Sequence, residues 1–198
     1  VHLGIMTTTG DTEGEAIETL PVEVTIAQIE AALARFRGPI LQVPPMYSAL
    51  KRDGKALYEY AREGITLERD ARPVTIHGLE LVGYEAPMLK IRVTCSKGTY
   101  VRVLGEDIGA ALGCGAHLNA LRRIQVGALT SSTMITLEDL QAHAEPLSLL
   151  APVDALLSSF PAVQLTGELA KRFLQGQRLA LGKEGLTLPE TLGRVRVY

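Results

Sequence analysis

The sequence predicts an α+β protein built on a mixed or antiparallel sheet. Two strand-like runs, residues 73–84 and 88–96, are separated only by Glu85-Ala86-Pro87, too short a link for a crossover helix, so they form a hairpin. Helical signals lie before and after that hairpin rather than between successive strands, and strict β-α-β alternation is absent.

From the start of the chain, Val1-His2-Leu3-Gly4-Ile5 reads as the end of a strand entering a polar turn over residues 7–14. Thr25-Ile26-Ala27-Gln28 is a capping box, after which Ile29, Ala32, Leu33 and Phe36 share one helical face until Gly38-Pro39 ends the helix. Val43-Pro44-Pro45-Met46 reads as loop, because each Pro lacks an N–H and pushes its predecessor into extended geometry. The basic turn Lys51-Arg52-Asp53-Gly54-Lys55 leads into a short helix over 56–63, stopped by Gly64. In the second strand of the hairpin Leu89, Ile91, Val93 and Cys95 alternate with Lys90, Arg92, Thr94 and Ser96, giving one buried and one polar face. Thr99 is the expected N-cap of a helix whose stripe is Val103, Leu104, Ile108 and Leu112 and whose stop is Gly113. Residues 113–117 read as a tight turn, 118–122 as a short segment, 124–129 as a strand, and Thr136 as the start of another helix. Phe160-Pro161 marks a break, and residues 166–175 with Gly176 read as a short helix opening a second unit. Residues 194–198 alternate like a strand with no partner after it, and no Met precedes Val1, so both ends are expected to be cut.

The 198 residues are 46% hydrophobic and 21% charged, enough for a real core and for one domain or one plus a small appendage. The 10 Pro and 19 Gly are scattered, which excludes collagen-like and largely disordered chains. No apolar run is long enough to span a bilayer and no signal-peptide pattern is present. Cys95 and Cys114 belong to no C-x-x-C, and His2, His77, His117 and His143 share no ligand spacing with them. The expectation is therefore a cytoplasmic chain without a metal site, its Cys acting as small hydrophobes. A net charge of −2 excludes nucleic-acid binding through bulk positive charge. Such binding would be local, at Lys51, Arg52 and Lys55 or at Lys97, Arg102, Arg122 and Arg123, which otherwise read as solvated surface charges. Arg102 is the awkward cation among them, since it opposes the helix dipole in a first turn unless it meets an anion, which Lys97 and Tyr100 are placed to share. Dinucleotide, P-loop, nucleophile-elbow and zincin motifs are all missing from the sequence.

Five ordered blocks carry a resemblance. They are Leu3-Gly4-x-x-Thr7-x-Thr9-Gly10-Asp11-x-x-Gly14, Pro44-Pro45-Met46-Tyr47-Ser48-Ala49-Leu50-Lys51, Gly54-Lys55-x-Leu57-Tyr58-x-Tyr60-Ala61-Arg62-x-Gly64, Cys95-Ser96-Lys97-Gly98-Thr99-Tyr100-Val101-Arg102 and Gly113-Cys114-Gly115-Ala116-His117-Leu118-x-x-Leu121-Arg122-Arg123. In this register the chain resembles the bacterial tRNA pseudouridine synthase B (TruB) family from Leu3 to Val126. Weaker similarity continues through Phe160-Pro161 and Gln175-Gly176-Gln177-Arg178.

The resemblance implies isomerisation of uridine to pseudouridine at position 55 in the T-arm loop of tRNA, with the target base flipped into a pocket, an Asp nucleophile and no cofactor. It implies a partial catalytic domain over 1–155, with a thumb-like insertion at about 40–72 that grips RNA, and a partial PUA-like RNA-binding domain over 160–198. Arg102 matches the Arg that pairs with the nucleophile, and Asp11 a polar turn beside the site, where catalytic support and turn capping stay open. Leu121 matches a pocket-lining residue. Lys51, Arg52 and Lys55 would meet phosphates, Tyr47, Tyr58 and Tyr60 would stack or pack, and Lys97 and Tyr100 flank Arg102. His117 reads as structural. The family's nucleophile lies in a G-x-x-D-x-x-A-T-G block, which the resemblance places ahead of Val1 and which does not occur in the 198 residues. No residue here takes that role, and the isolated chain is expected to be inactive. The implied partner is tRNA, bound by a monomer away from any membrane. The alternative is a non-catalytic T-arm RNA-binding or tRNA-folding module.

Overall fold

In a computed structural model the protein is described over residues 1–187, 190 and 193–198, in two units, Val1–Leu121 and Arg122–Tyr198. The first unit opens with β1 (His2–Leu3) and then β2 (Ile5–Thr7), which pairs antiparallel with β3 (Ala16–Thr19). The polar turn thus lies over residues 8–15, close to the expected 7–14, and it is closed by a strand the sequence did not announce, with Met6 and Thr7 paired to Glu18 and Ala16. Helix α1 (Ile26–Ala34) begins at the expected capping box: Gln28 N donates to the Thr25 hydroxyl at 3.3 Å and Thr25 N donates to Gln28 Oε1 at 2.8 Å.

A further strand was not anticipated. Gly38-Pro39, read as a helix stop, also opens β4 (Gly38–Gln42), an edge strand, where a missing N–H is tolerated. Beyond it β5 (Lys51–Arg52) and β6 (Lys55–Ala56) close over Asp53-Gly54, both at positive φ, and α2 (Leu57–Arg62) follows. The predicted hairpin is β7 (Arg72–Glu85) with β8 (Met88–Cys95). Val74 and Ile76 face the core with period two, and an irregularity in the pairing between Ile76 and Gly78 shifts the parity so that Leu79 is the next buried side chain. Helix α3 (Val101–Leu112) ends at Gly113 in the left-handed region, as its sequence requires, and leads to β9 (Ala116–His117).

The resulting sheet has the order β4-β7-β8-β1-β9, every pair antiparallel. Leu3, Ile76, Leu79 and Leu89 from the sheet pack with Ile29 and Leu33 of α1 and Leu104 and Ile108 of α3. Each such side chain contributes roughly 1.5–3 kcal/mol by leaving water. Gly109 permits the closest approach, because a Cβ there would lie 2.4 Å from Ala116 N and Cβ. His117 is buried, its Nδ1 2.9 Å from the Ile5 carbonyl oxygen and its ring stacked on His2, which fits a structural role.

In the second unit the strand expected over 124–129 is instead a small hairpin, β10 (Gln125–Val126) with β11 (Leu129–Thr130), turned by Gly127 at positive φ. Thr136 caps α4 (Leu137–Ala142), and Thr166 caps α5 (Gly167–Leu174). The strand expected at the end of the chain finds its partner earlier in the sequence: β12 (Ala162–Val163) pairs in parallel with β13 (Arg196–Val197). No described helix is long and apolar enough to cross a membrane.

Candidate active site

The N-terminus of α3 gathers a cluster of polar side chains from separate parts of the first unit. Its N-cap is Tyr100, one residue later than expected; the Thr99 hydroxyl instead donates to the Ser96 carbonyl at 2.9 Å, closing the turn before the helix. Arg102 therefore sits at the second helical position, pointing back over the helix start. Its Nη1 donates to Asp11 Oδ2 at 2.6 Å and its Nη2 to the Tyr47 carbonyl at 2.7 Å. These contacts join three segments far apart in sequence, and Arg102 and Asp11 are only 21% and 24% exposed.

Asp11 is itself held by its own turn. Its Oδ1 accepts from the Thr9 hydroxyl at 2.5 Å and from Glu13 N at 3.1 Å, which serves turn capping and leaves Oδ2 for Arg102. Partial burial raises the Asp11 pKa, but the Thr9 and Glu13 hydrogen bonds and the Arg102 charge outweigh it and hold the carboxylate below its ordinary value. Glu106, one turn along α3, moves the other way: burial raises its pKa against the pull of Arg102, with Asp107 and Asp11 adding repulsion. The 102/106 spacing made Glu106 findable as a neighbour of Arg102, whereas only the family resemblance, and no local pattern, put Asp11 beside the site.

Arg102 and Tyr47 line an open cleft of about 510 Å³ together with Thr8, Ser48, Tyr58 and Arg62. The Arg62 guanidinium stands over the Tyr58 ring at 5.2 Å. The other expected residues are spread more widely. Lys97 and Tyr100 line a second cavity of about 220 Å³ with Gln42 and Arg72. Lys51 is exposed, Arg52 donates to the Glu68 carbonyl at 3.1 Å, and Lys55 is paired with Glu63 at 2.5 Å above the Tyr60 ring. Leu121 is 60% exposed and lines neither cavity. No group of His, Cys, Asp and Glu among the described residues is arranged to hold a metal ion.

The family model for the N-terminal domain of TruB family pseudouridylate synthases matches residues 1–101, half of the chain. The chain belongs to the TruB family. The model for the C-terminal domain of tRNA pseudouridylate synthase B continues the match over residues 102–158. The relative named tRNA pseudouridine synthase B in Burkholderia mallei (strain NCTC 10247) is 59% identical over 202 residues, covering all of this chain and 67% of its own length. Its counterpart in Ralstonia pickettii (strain 12J) is 56% identical over 204 residues, of which the chain covers 63%. The chain thus spans about two thirds of these curated relatives.

Among solved structures, a Cbf5-Nop10-Gar1 complex contains a chain with a TM-score of 0.63 and 27% identity, over 81% of this chain and 47% of that one. An H/ACA RNP bound to a substrate RNA containing 2'-deoxyuridine contains another, with a TM-score of 0.61 over 82% and 46%; at 24% identity this second likeness shows the fold alone. The boundary between the two matched TruB models falls in the first turn of α3, so Asp11 and Tyr47 come from one matched segment and Arg102 from the next.

Proposed function

We propose that the protein containing this chain isomerises uridine to pseudouridine at position 55 in the T-arm loop of tRNA, flipping the target base out of its stack. The observation that carries the reading is the state of Arg102: a guanidinium fixed at two points at the rim of an open cleft. An Arg has five N–H donors, and the contacts to Asp11 and Tyr47 leave three for a further anion. In this reading that anion is the nucleophilic Asp, which the family resemblance places ahead of Val1. Arg102 keeps that carboxylate ionised and aimed, the carboxylate displaces the base from the ribose, and the base turns and rejoins through carbon. The reaction rearranges one nucleoside without net loss of atoms or electrons, so no cofactor is required.

Asp11 is the supporting residue that keeps Arg102 in place. Tyr47 forms one wall of the cleft, Lys97 and Tyr100 meet the RNA from the second cavity, and Leu121 turns toward the flipped base once RNA is bound. The segment at about 40–72 acts as the thumb: between its ends, which lie in β4 and β7 of the sheet, the β5-β6 hairpin and α2 stand outside the five-stranded sheet, and the hairpin carries Lys51, Arg52 and Lys55. We assign 1–155 to the catalytic domain and 160–198 to the start of a PUA-like RNA-binding domain. The protein works as a cytoplasmic monomer, its exposed site covered by tRNA.

The test uses the full-length protein, unmodified tRNA transcript and the Arg102→Ala variant. Pseudouridine at position 55 with the parent, and its loss with the variant while RNA affinity stays within a few fold, is the expected result. RNA binding without turnover by the full-length parent would replace this reading with a non-catalytic T-arm binding module.

A further inference from the structure

Gln42 is the last residue of β4 and only 2% exposed. Buried primary amides persist when their donors and acceptors are matched, and this one is matched to a single residue. Tyr100 N donates to Gln42 Oε1 at 3.0 Å, and Gln42 Nε2 donates to the Tyr100 carbonyl at 3.3 Å. Tyr100 is the N-cap of α3, and its side chain makes no cap hydrogen bond.

In a capping box the side chain at the third helical position accepts from the N-cap N–H. Here that position is Val103, which has nothing to accept with. The bond is supplied instead from another element, 58 residues earlier in the chain. The Tyr100 carbonyl already accepts from Leu104 N at 3.0 Å as the first helical bond, so Gln42 grips the N-cap at both of its backbone groups. Arg102 lies two residues beyond that grip.

We propose that Gln42 is a positioning residue, an external cap that fixes the first turn of α3 to the edge of the sheet and so sets where the Arg102 guanidinium stands relative to Asp11. The proposal rests on the proposed function, since it assigns Gln42 to the same site. At 2% exposed, Gln42 acts through Tyr100 and Arg102 rather than as a contact of its own. Its loss lets the helix start shift while the core beneath Leu104 and Ile108 stays packed.

The test is a mutant cycle in the full-length enzyme, once the parent has been shown to form pseudouridine. Gln42→Met keeps the volume and removes both hydrogen bonds. It is expected to lower kcat about 10- to 100-fold, the effect of misplacing a reacting group by about an ångström, with KM for tRNA within twofold. Gln42→Glu keeps an acceptor for Tyr100 N but loses the donor and sets a buried carboxylate oxygen against the Tyr100 carbonyl, so it is expected to stay as impaired as Gln42→Met. Combined with Arg102→Lys, Gln42→Met is expected to lower kcat far less than it does alone, because the geometry it protects is already lost. Parental kcat in Gln42→Met overturns the proposal, as do losses that simply multiply in the double variant or a change confined to KM. Should Gln42→Met not fold, the same cycle with Gln42→Asn, whose amide stops short of Tyr100, reads the same outcomes. A parent that never forms pseudouridine refutes the function rather than the cap, and protection of the Tyr100 amide from hydrogen exchange, lost in Gln42→Met, then decides the cap alone.

Discussion

The carboxylate of Glu106 occupies the place where Gly10 would carry a side chain: a Cβ built on Gly10 would lie 2.6 Å from Glu106 Cδ and Oε1. Gly10 also has a φ of +73°, so both its backbone and its surroundings call for glycine. The α3 surface thereby presses on the turn that presents Asp11. Gly10→Ala is expected to cost about 1–2 kcal/mol from backbone strain alone. It should also displace Glu106, which can swing away, and loosen the Asp11–Arg102 contact. Urea denaturation of parent and variant checks the cost, and combining Gly10→Ala with Glu106→Ala should recover the steric part and leave the strain.

The Arg102–Asp11 pair is the second place where the site can be broken selectively. A pair less than a quarter exposed on each side is more than a surface contact, and removing one partner leaves the other half-desolvated. Asp11→Asn keeps the shape of the turn but weakens the grip on Arg102. It is expected to lower turnover about 10- to 100-fold, with RNA affinity nearly intact, because aim rather than binding is lost. Single-turnover kinetics and RNA titrations on the full-length protein separate the two.

Much of this arrangement was legible before the structure. The capping box at Thr25, the β7-β8 hairpin and the α3 stop at Gly113 are local signals, each determined by residues within a few positions of the element they shape. The misreadings have different physical origins. Thr99 looked like an N-cap, but its hydroxyl closes a local turn onto the Ser96 carbonyl and the helix starts one residue later, at a cap whose partner comes from another element. Strand β4 was hidden because Pro39 reads as a breaker, and only its place on the sheet edge makes it acceptable. In the site, Arg102 stood out as a cation at the wrong end of a helix. Gln42 gave no sign at all, since its partner is 58 residues away and pairs through its backbone.

Glu106 also gives the protein a defined pH dependence. Burial makes its ionised form costly, so the folded state holds the Glu106 proton more tightly than the unfolded chain does. Stability from this group is full below its ordinary value of 4.5 and falls as pH rises through the raised folded value. Asp107, raised by burial, acts in the same direction. Asp11 acts oppositely: its stabilisation is present above its ordinary value of 3.8 and is lost as acid protonates it below that. Glu106→Gln is therefore expected to be more stable than the parent at neutral pH, with the difference shrinking toward 4.5. Unfolding midpoints across that range check the sign, and equal stability at neutral pH would show that Glu106 is not desolvated in solution.

The three basic residues of the β5-β6 hairpin are not equally free to meet RNA. Lys55 is neutralised by Glu63 at 2.5 Å, and Arg52 has one guanidinium nitrogen on the Glu68 carbonyl, whereas Lys51 is exposed without a partner among the described residues. An exposed, unpaired ammonium releases counterions most readily on meeting a phosphate, and each such contact contributes a slope of about −0.7 in log affinity against log salt on single-stranded RNA. Lys51→Glu is therefore expected to flatten the salt dependence of T-arm binding by roughly one contact, and adding Arg52→Glu by roughly one more. Lys55→Gln should change the slope little, since that charge is already matched, and should instead free Glu63 to repel the phosphate backbone. Affinities of the full-length protein for a T-arm stem-loop across a salt series separate these cases. A slope that is unchanged in Lys51→Glu would return the hairpin to an ordinary solvated surface and move RNA contact elsewhere on the fold.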